Sequence, residues 1–488
     1  MKKLTFAILF VSMLFSPFSN VAAAATELTL SDVLQIANVR REGITQPDYR
    51  RLTELTYGRT PQTLRMDQFF RNTPLVSSFP AEDAMHDARL LFDVMRQVYG
   101  AYTYFGGDEV FDPIFANILA AIGTQRYWNI AEFATLLRYH IGAVVSDNHF
   151  HIGGRRFEAS ANFFTGFTVF DRTESGFRNR SNGLYVTEVA GHDKDDVFRL
   201  SLNSRGEFFY APVAMFPGSL GRLRSVYPLT VRYENGTEET LSLFRHIPGR
   251  LEFQYSSLTY EHGFPLVTVR QMGFDATPLG EDARRFLSFA EHLQNEEVVI
   301  VDVRSNGGGN GVLPRKWLHS LTGEVVPTNF VSLHVRNYPM LMYMLEHHTS
   351  PEGAFYIPFD DLLMYMPAAP MGAHHTIMDN TPNRMVQNNQ LLILLIDRYS
   401  ASAAEGFADM LFNMENTLII GQNSGGVLHT DLTYPILNLP RTGLSFGLGR
   451  AINLHPPGHL VEGIGIAPDV WVTGDALQAV LAMLEAQL

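Results

Sequence analysis

Apolar residues are spaced in three different ways along the 488-residue chain. From about 27 to 148 they recur every three to four positions, most clearly over Ala81 to Tyr99 and Asn129 to Ile141. This spacing predicts amphipathic helices. Between them lies an aromatic, glycine-rich stretch from Tyr99 to Gly107, read as packing between helices, with ligand contact as the alternative. From about 151 to 250 the pattern shortens to alternating segments such as Gly183 to Val189. Leu229 to Leu243 reads as a hairpin around Asn235-Gly236. From about 251 unbroken apolar runs alternate with helical spacing, which predicts an α/β core. A Met-, Tyr-, His- and Pro-rich insertion interrupts that core from about 315 to 386.

Two strand-then-turn units stand out in the α/β part. The run Leu391 to Ile396 reads as a buried strand, and Asp397-Arg398-Tyr399-Ser400-Ala401-Ser402 as the turn after it. Ala403 to Met414 then runs at helical spacing. A serine at such a junction exposes its hydroxyl beside unpaired helix amides, where negative charge is favoured. That suits a nucleophile and an oxyanion hole, although a serine there can also be a plain helix cap. The second unit, Glu297 to Arg304, opens into Ser305-Asn306-Gly307-Gly308-Gly309-Asn310-Gly311. Three successive glycines are costly to order, so a special backbone conformation or a close approach must require them. Their N–H groups can line an anion pocket.

Composition narrows the setting. Lys2, Lys3, the apolar run Leu4 to Phe15 and Ala22 to Ala25 have the form of a secretory signal peptide, with cleavage expected near Ala24 or Ala25. Losing both lysines takes the formal charge from −13 to −15. The mature chain is expected to have no membrane span, because no later apolar run reaches the roughly 18 residues needed. Cysteine is absent, which excludes a Cys nucleophile, disulfides and thiolate zinc sites. An acidic chain without a Lys/Arg cluster does not suit nucleic acid. The expected compartment is the periplasm, with the extracellular medium second.

A serine nucleophile needs a base, most often His, and the base needs an orienting group. With 17 histidines in the chain, proximity in sequence cannot choose among them. Val144-Val145-Ser146-Asp147-Asn148-His149-Phe150-His151 puts two histidines and an aspartate at the seam between the helical and β-rich parts. If it is a strand, His149 and His151 share a face.

Three motifs together resemble the C-terminal processing (tail-specific) serine peptidases, in particular their tricorn-like and retinoid-binding-protein-like branch. They are Asp302-Val303-Arg304-Ser305-Asn306-Gly307-Gly308-Gly309, Ser400-Ala401-Ser402-Ala403-Ala404-Glu405 and Gly463-Ile464-Gly465-Ile466-Ala467-Pro468-Asp469-Val470, with Ser146 to His149 as an outlying match. The resemblance covers roughly Phe264 to Val472. It implies an α/β fold with a Clp-protease/crotonase-like ββα catalytic core, an N-terminal helical region and a small β-rich, PDZ-like domain. The corresponding boundaries are 1–25 for the signal peptide, 26–150, 151–250 and 251–488.

The resemblance also implies roles. Ser402 would be the nucleophile, with Ser400 the weaker candidate, and His149 its general base. The amides of Gly309 and Ala403 would form the oxyanion hole, and Glu462 would complete the relay. Asp302, Arg304, Glu405 and Asp469 would hold the loops in shape. Two departures matter. The turn that carries a lysine in the processing branch reads Gly421-Gln422-Asn423-Ser424-Gly425-Gly426-Val427-Leu428, so no Ser–Lys dyad exists there. Asn148 stands where the tricorn-like branch has a serine, and its amide would have to bridge His149 to Glu462. The implied activity is hydrolysis of peptide bonds in peptides or unfolded protein tails, without a cofactor or metal.

The rival reading is a non-catalytic peptide- or ligand-binding protein on the same scaffold. A crotonase-like acyl-transfer enzyme would need coenzyme A, which the export signal disfavours. His347-His348 and His374-His375 lack a His-Glu-x-x-His frame, and adjacent side chains diverge, so they are not read as a metal site. No Gly-x-Ser-x-Gly elbow is present, which argues against an α/β-hydrolase.

Overall fold

The computed structural model describes residues 28–45, 47, 66–69, 74–157, 160–218, 224–273, 278–335, 374–377, 385–431, 436–449 and 451–487. The expected signal peptide and His347-His348 lie outside these residues. The α/β expectation holds. Five strands, Phe264–Thr268, Val298–Asp302, Leu391–Ile396, Thr417–Gly421 and Val470–Trp471, lie side by side and parallel. Parallel strands buried on both faces read as continuous apolar runs, and the side chains here divide by alternation. Val299, Val301, Leu392, Leu394 and Ile419 pack with residues of helices Pro278–His292, Val312–Thr322 and Ala403–Leu411. Ile300, Ile393, Leu395, Leu418 and Ile420 pack with helices Leu30–Glu42 and Ala476–Gln487.

The first part of the stretch read as an insertion from about 315 belongs to this core. Trp317, fully buried in helix Val312–Thr322, stacks on Phe286 at 5.6 Å and meets Phe407 edge-on at 5.7 Å. The aromatic and polar texture that follows hid the helix in the sequence.

The β-rich middle part is antiparallel. Its hairpin pairs Val226–Tyr233 with Glu238–His246, and Gly236 takes the left-handed φ of 83° that the turn requires. It is not a separate sheet: Trp471 pairs with Ser201 in parallel, which joins these strands to the core in one 14-stranded sheet.

The helical expectations are met by Ala81–Val98 and Ile130–Ile141, the latter opened by a capping box between Asn129 and Glu132. With Gly107–Ile122 they bury Leu91, Phe92, Phe111 and Phe133 in one cluster. That cluster also takes in Phe150, Phe446 and Ile452, so the chain after residue 436 returns to the helical part. Strand Asp147–Ile152 accordingly pairs with Ser445–Gly447, which brings His149 to the C-terminal half. No helix among the described residues is long and apolar enough to cross a membrane.

Candidate active site

Strand Leu391–Ile396 ends in a turn built around Asp397. Its carboxylate accepts the N–H groups of Ser305 (2.8 Å), Tyr399 (2.9 Å) and Ser400 (3.0 Å). Ser400 is fully buried; its hydroxyl donates to Val303 O at 2.8 Å and accepts from Asp397 N at 3.0 Å. It is committed to the turn. Ser402 is half-buried at the start of helix Ala403–Leu411, with φ 55° and ψ −114°. A positive φ at a residue with a side chain costs roughly 1–3 kcal/mol and persists only where its surroundings impose it. Here Ala401 N–H donates to Asn306 O at 2.9 Å and Ser402 N–H to Glu405 Oε2 at 2.9 Å. Such a sharp strand-to-helix turn presents a serine hydroxyl outward.

The glycine turn meets this serine directly. Asn306, fully buried, donates to Val269 O at 3.0 Å and accepts Gly308 N–H at 2.9 Å. Gly308 has φ 97°, and a Cβ there would lie 2.7 Å from Ser402 Cβ and 3.0 Å from Ala403 N. Gly309 has φ 132°, and its Cβ would lie 1.7 Å from Met272 O. Both positions therefore demand glycine. The N–H groups of Gly309 and Ala403 have no acceptor among the described residues.

Glu405 ties the serine turn to its neighbours. It is fully buried and also accepts from Ser424 Oγ (2.6 Å), Gly426 N (2.7 Å) and Val427 N (2.8 Å). Gly426 O in turn accepts Asn148 Nδ2 at 2.8 Å. The serine turn and the strand carrying His149 are thus linked through Glu405 and Gly426. Arg398, lowered to about 10 by burial, clamps the Gly463-Ile464-Gly465 turn by donating to Gly463 O (2.9 Å), Ile464 O (2.7 Å) and Ser424 O.

His149 is buried, and burial pushes its pKa down despite the nearby carboxylates of Asp147 and Asp431. Its Nδ1 has no hydrogen-bond partner among the described residues. Asp147, wholly buried, accepts from Tyr99 Oη (2.7 Å), Thr430 Oγ1 (2.9 Å) and His149 N (2.9 Å). Glu462 accepts the main-chain N–H groups of Asn148 (2.7 Å) and His429 (3.1 Å), and burial, reinforced by Asp147, raises it well above the ordinary carboxylate range. Among the described residues no hydrogen bond joins the His149 ring to Ser402 Oγ or to Glu462.

Sequence reasoning did not single out Asp147, Thr430 or Tyr99 as supports of this region, nor His429. The Tyr99–Gly107 stretch packs beside it: Gly100 lies so close to Ala451 that a Cβ would come within 2.5 Å of its main chain. Tyr104 meets the His429 ring edge-on at 4.6 Å. Asp147 before His149 and the tyrosines were visible signals, but nothing local says that the two segments meet.

Residues 266–472 match the model of Peptidase family S41. No curated protein matches the sequence. Among solved structures the chain is similar to mature CPAF complexed with lactacystin, at 16% identity over 83% of this chain and 98% of that one, with a TM-score of 0.43. It is also similar to the photosystem II D1 C-terminal processing protease (13% identity, 81% and 93% covered, TM-score 0.35) and to the tricorn protease (12%, 84% and 37%, TM-score 0.33). Residues 266–472, which hold the glycine turn, the serine turn and Glu462, are thus the part of the chain that is similar to peptidase family S41.

Proposed function

We propose that the protein is an exported serine endopeptidase, periplasmic by its N-terminal segment, that hydrolyses peptide bonds in peptides or protein C-terminal tails. The observation that supports this reading most is the close approach of the glycine turn to the serine turn, where a Cβ on Gly308 would lie 2.7 Å from Ser402 Cβ and 3.0 Å from Ala403 N.

Ser402 Oγ attacks the scissile carbonyl carbon as His149 takes its proton. The C=O electron pair moves to oxygen, which is held by the amides of Gly309 and Ala403. Losing one such donor typically costs about 100- to 1,000-fold in rate. His149 then gives the proton to the leaving amine, and an acyl-enzyme forms at Ser402. Water attacks next, His149 accepts its proton and returns it to Ser402, and the carboxylate product leaves. Burial favours neutral His149, the form that can accept a proton. Glu462 and Asn148 orient the strand: Asn148 offers its main-chain N–H to Glu462 and its amide to Gly426. The His149–Ser402 hydrogen bond is made on substrate binding, since catalytic bonds are often loose in a free enzyme.

A fluorophosphonate probe tests this. Native protein should be labelled on a single serine, and Ser402→Ala should lose the label. No labelling of native protein overturns the proposal and favours a non-catalytic binding protein.

A further inference from the structure

A cavity of about 500 Å³ opens beside the glycine turn, with Gly307, Gly308 and Gly309 forming one wall. Since Gly308 abuts Ser402, whatever fills the cavity lies next to a bond held at that serine. Its lining also includes two arginines, Arg250 and Arg270. Arg270 is buried and fixed: Nη1 donates to Asp302 O at 2.9 Å and Nη2 to Asp302 Oδ2 at 2.8 Å. Asp302 is shared with Arg304, which also donates to its Oδ2 at 2.8 Å, so one carboxylate serves two cations. Arg270 Nε is buried and has no hydrogen-bond partner among the described residues. Arg250 is exposed, lies over the Tyr399 ring at 5.7 Å and has no acidic partner among the described residues. Among those residues no carboxylate lines the cavity, although the chain as a whole carries a net charge of −13. Phe253 and Leu251 add apolar surface at its edge, suited to a short methylene stem.

We infer that this cavity is a specificity subsite for a substrate carboxylate held next to the scissile bond, with Arg250 as its recognition residue. The inference rests on the peptidase reading for the placement of the bond. An unpaired guanidinium offers planar donors matched to a carboxylate. Arg250 is in open solvent, so the preference is modest and depends on salt. The carboxylate can belong to a Glu or Asp side chain or to the free C-terminus of a peptide.

The test measures equilibrium binding to full-length Ser402→Ala protein by fluorescence polarisation, so it does not depend on turnover. Labelled, C-terminally amidated peptides carry Glu or Gln at one position, scanned along the sequence. A second pair differs only in a free or amidated C-terminus. One of these comparisons should favour the carboxylate by about tenfold, a size expected of a single charged hydrogen bond. Arg250→Gln should bring that ratio to about one, Arg250→Glu should invert it, and added salt should shrink it. Which pair responds identifies the source of the carboxylate. Absence of binding, no carboxylate preference, or a preference that survives both Arg250 variants overturns the inference. Failure of probe labelling with the preference intact would overturn the hydrolytic reading alone.

Discussion

Glu405 Oε2 holds the main-chain N–H of Ser402 at 2.9 Å, while its other oxygen takes Ser424 Oγ at 2.6 Å and Gly426 N at 2.7 Å. One buried carboxylate thus fixes the serine turn against the loop that reaches Asn148. Glu405→Gln keeps the shape but turns one acceptor into a donor facing main-chain N–H groups. A buried donor left without a partner costs about 1–3 kcal/mol. We expect Glu405→Gln to lower the unfolding free energy measured by urea titration by that amount and to lower kcat as well. Unchanged stability would mean that the carboxylate does not hold the turn.

Ser400 and Ser402 should separate by measurement. Ser400→Ala breaks two buried bonds and should lose about 1–2 kcal/mol in a denaturant titration. Ser402→Ala should abolish probe labelling with little loss of stability. Ser402→Gly should be more stable than Ser402→Ala by about 1 kcal/mol, because glycine relieves the φ of 55°. Equal stability of the two would show that the turn is not strained.

Gly308→Ala would place a methyl group 2.7 Å from Ser402 Cβ and from Ala401 O, at a φ that side chains avoid. Relief requires moving the serine, and a displacement of about 1 Å can cost on the order of 100-fold in rate. The control is Gly311→Ala, where nothing lies within 4 Å. Comparable loss of kcat in both variants would remove the special status of Gly308.

These sites differ in how far the sequence foretold them. Leu391 to Ile396 and Val298 to Asp302 were legible because a strand covered on both faces must be apolar without interruption. The helices within Ala81 to Tyr99 and Asn129 to Ile141 were legible for a comparably local reason, apolar residues every three to four positions. The approach of Gly308 to Ser402 was legible only as two suggestive turns, since no local pattern encodes a contact across about 90 residues. Asn148 was expected to bridge His149 to Glu462 with its amide. In the structure that amide donates to Gly426 O, and the main-chain N–H of Asn148 is what reaches Glu462. Helix Val312–Thr322 was concealed by the texture of the segment after it. The merging of the β-rich strands into the core sheet rests on a single pair, Trp471 with Ser201, which periodicity does not register.

Acid should weaken the fold through buried histidines. His455 is fully buried and lowered to about 3 from 6.5, with burial the main cause; Asp409 opposes the shift, and His459 and His429 add to it. His149, His151, His246 and His429 are lowered as well, also chiefly by burial. Each binds its proton more readily in the unfolded chain than in the native one. The unfolded state therefore takes up more protons as pH falls below 6.5, and stability drops with it. At about pH 5 the His455 share alone is on the order of 2 kcal/mol. Denaturant midpoints measured from neutral pH to about pH 5 should fall, and His455→Phe should flatten the slope if the larger ring fits. The same sign applies to catalysis: because burial holds His149 neutral, the acid limb of kcat/KM should lie below pH 6.5. An acid limb above that value would mean that another group, or a charged His149, governs the serine.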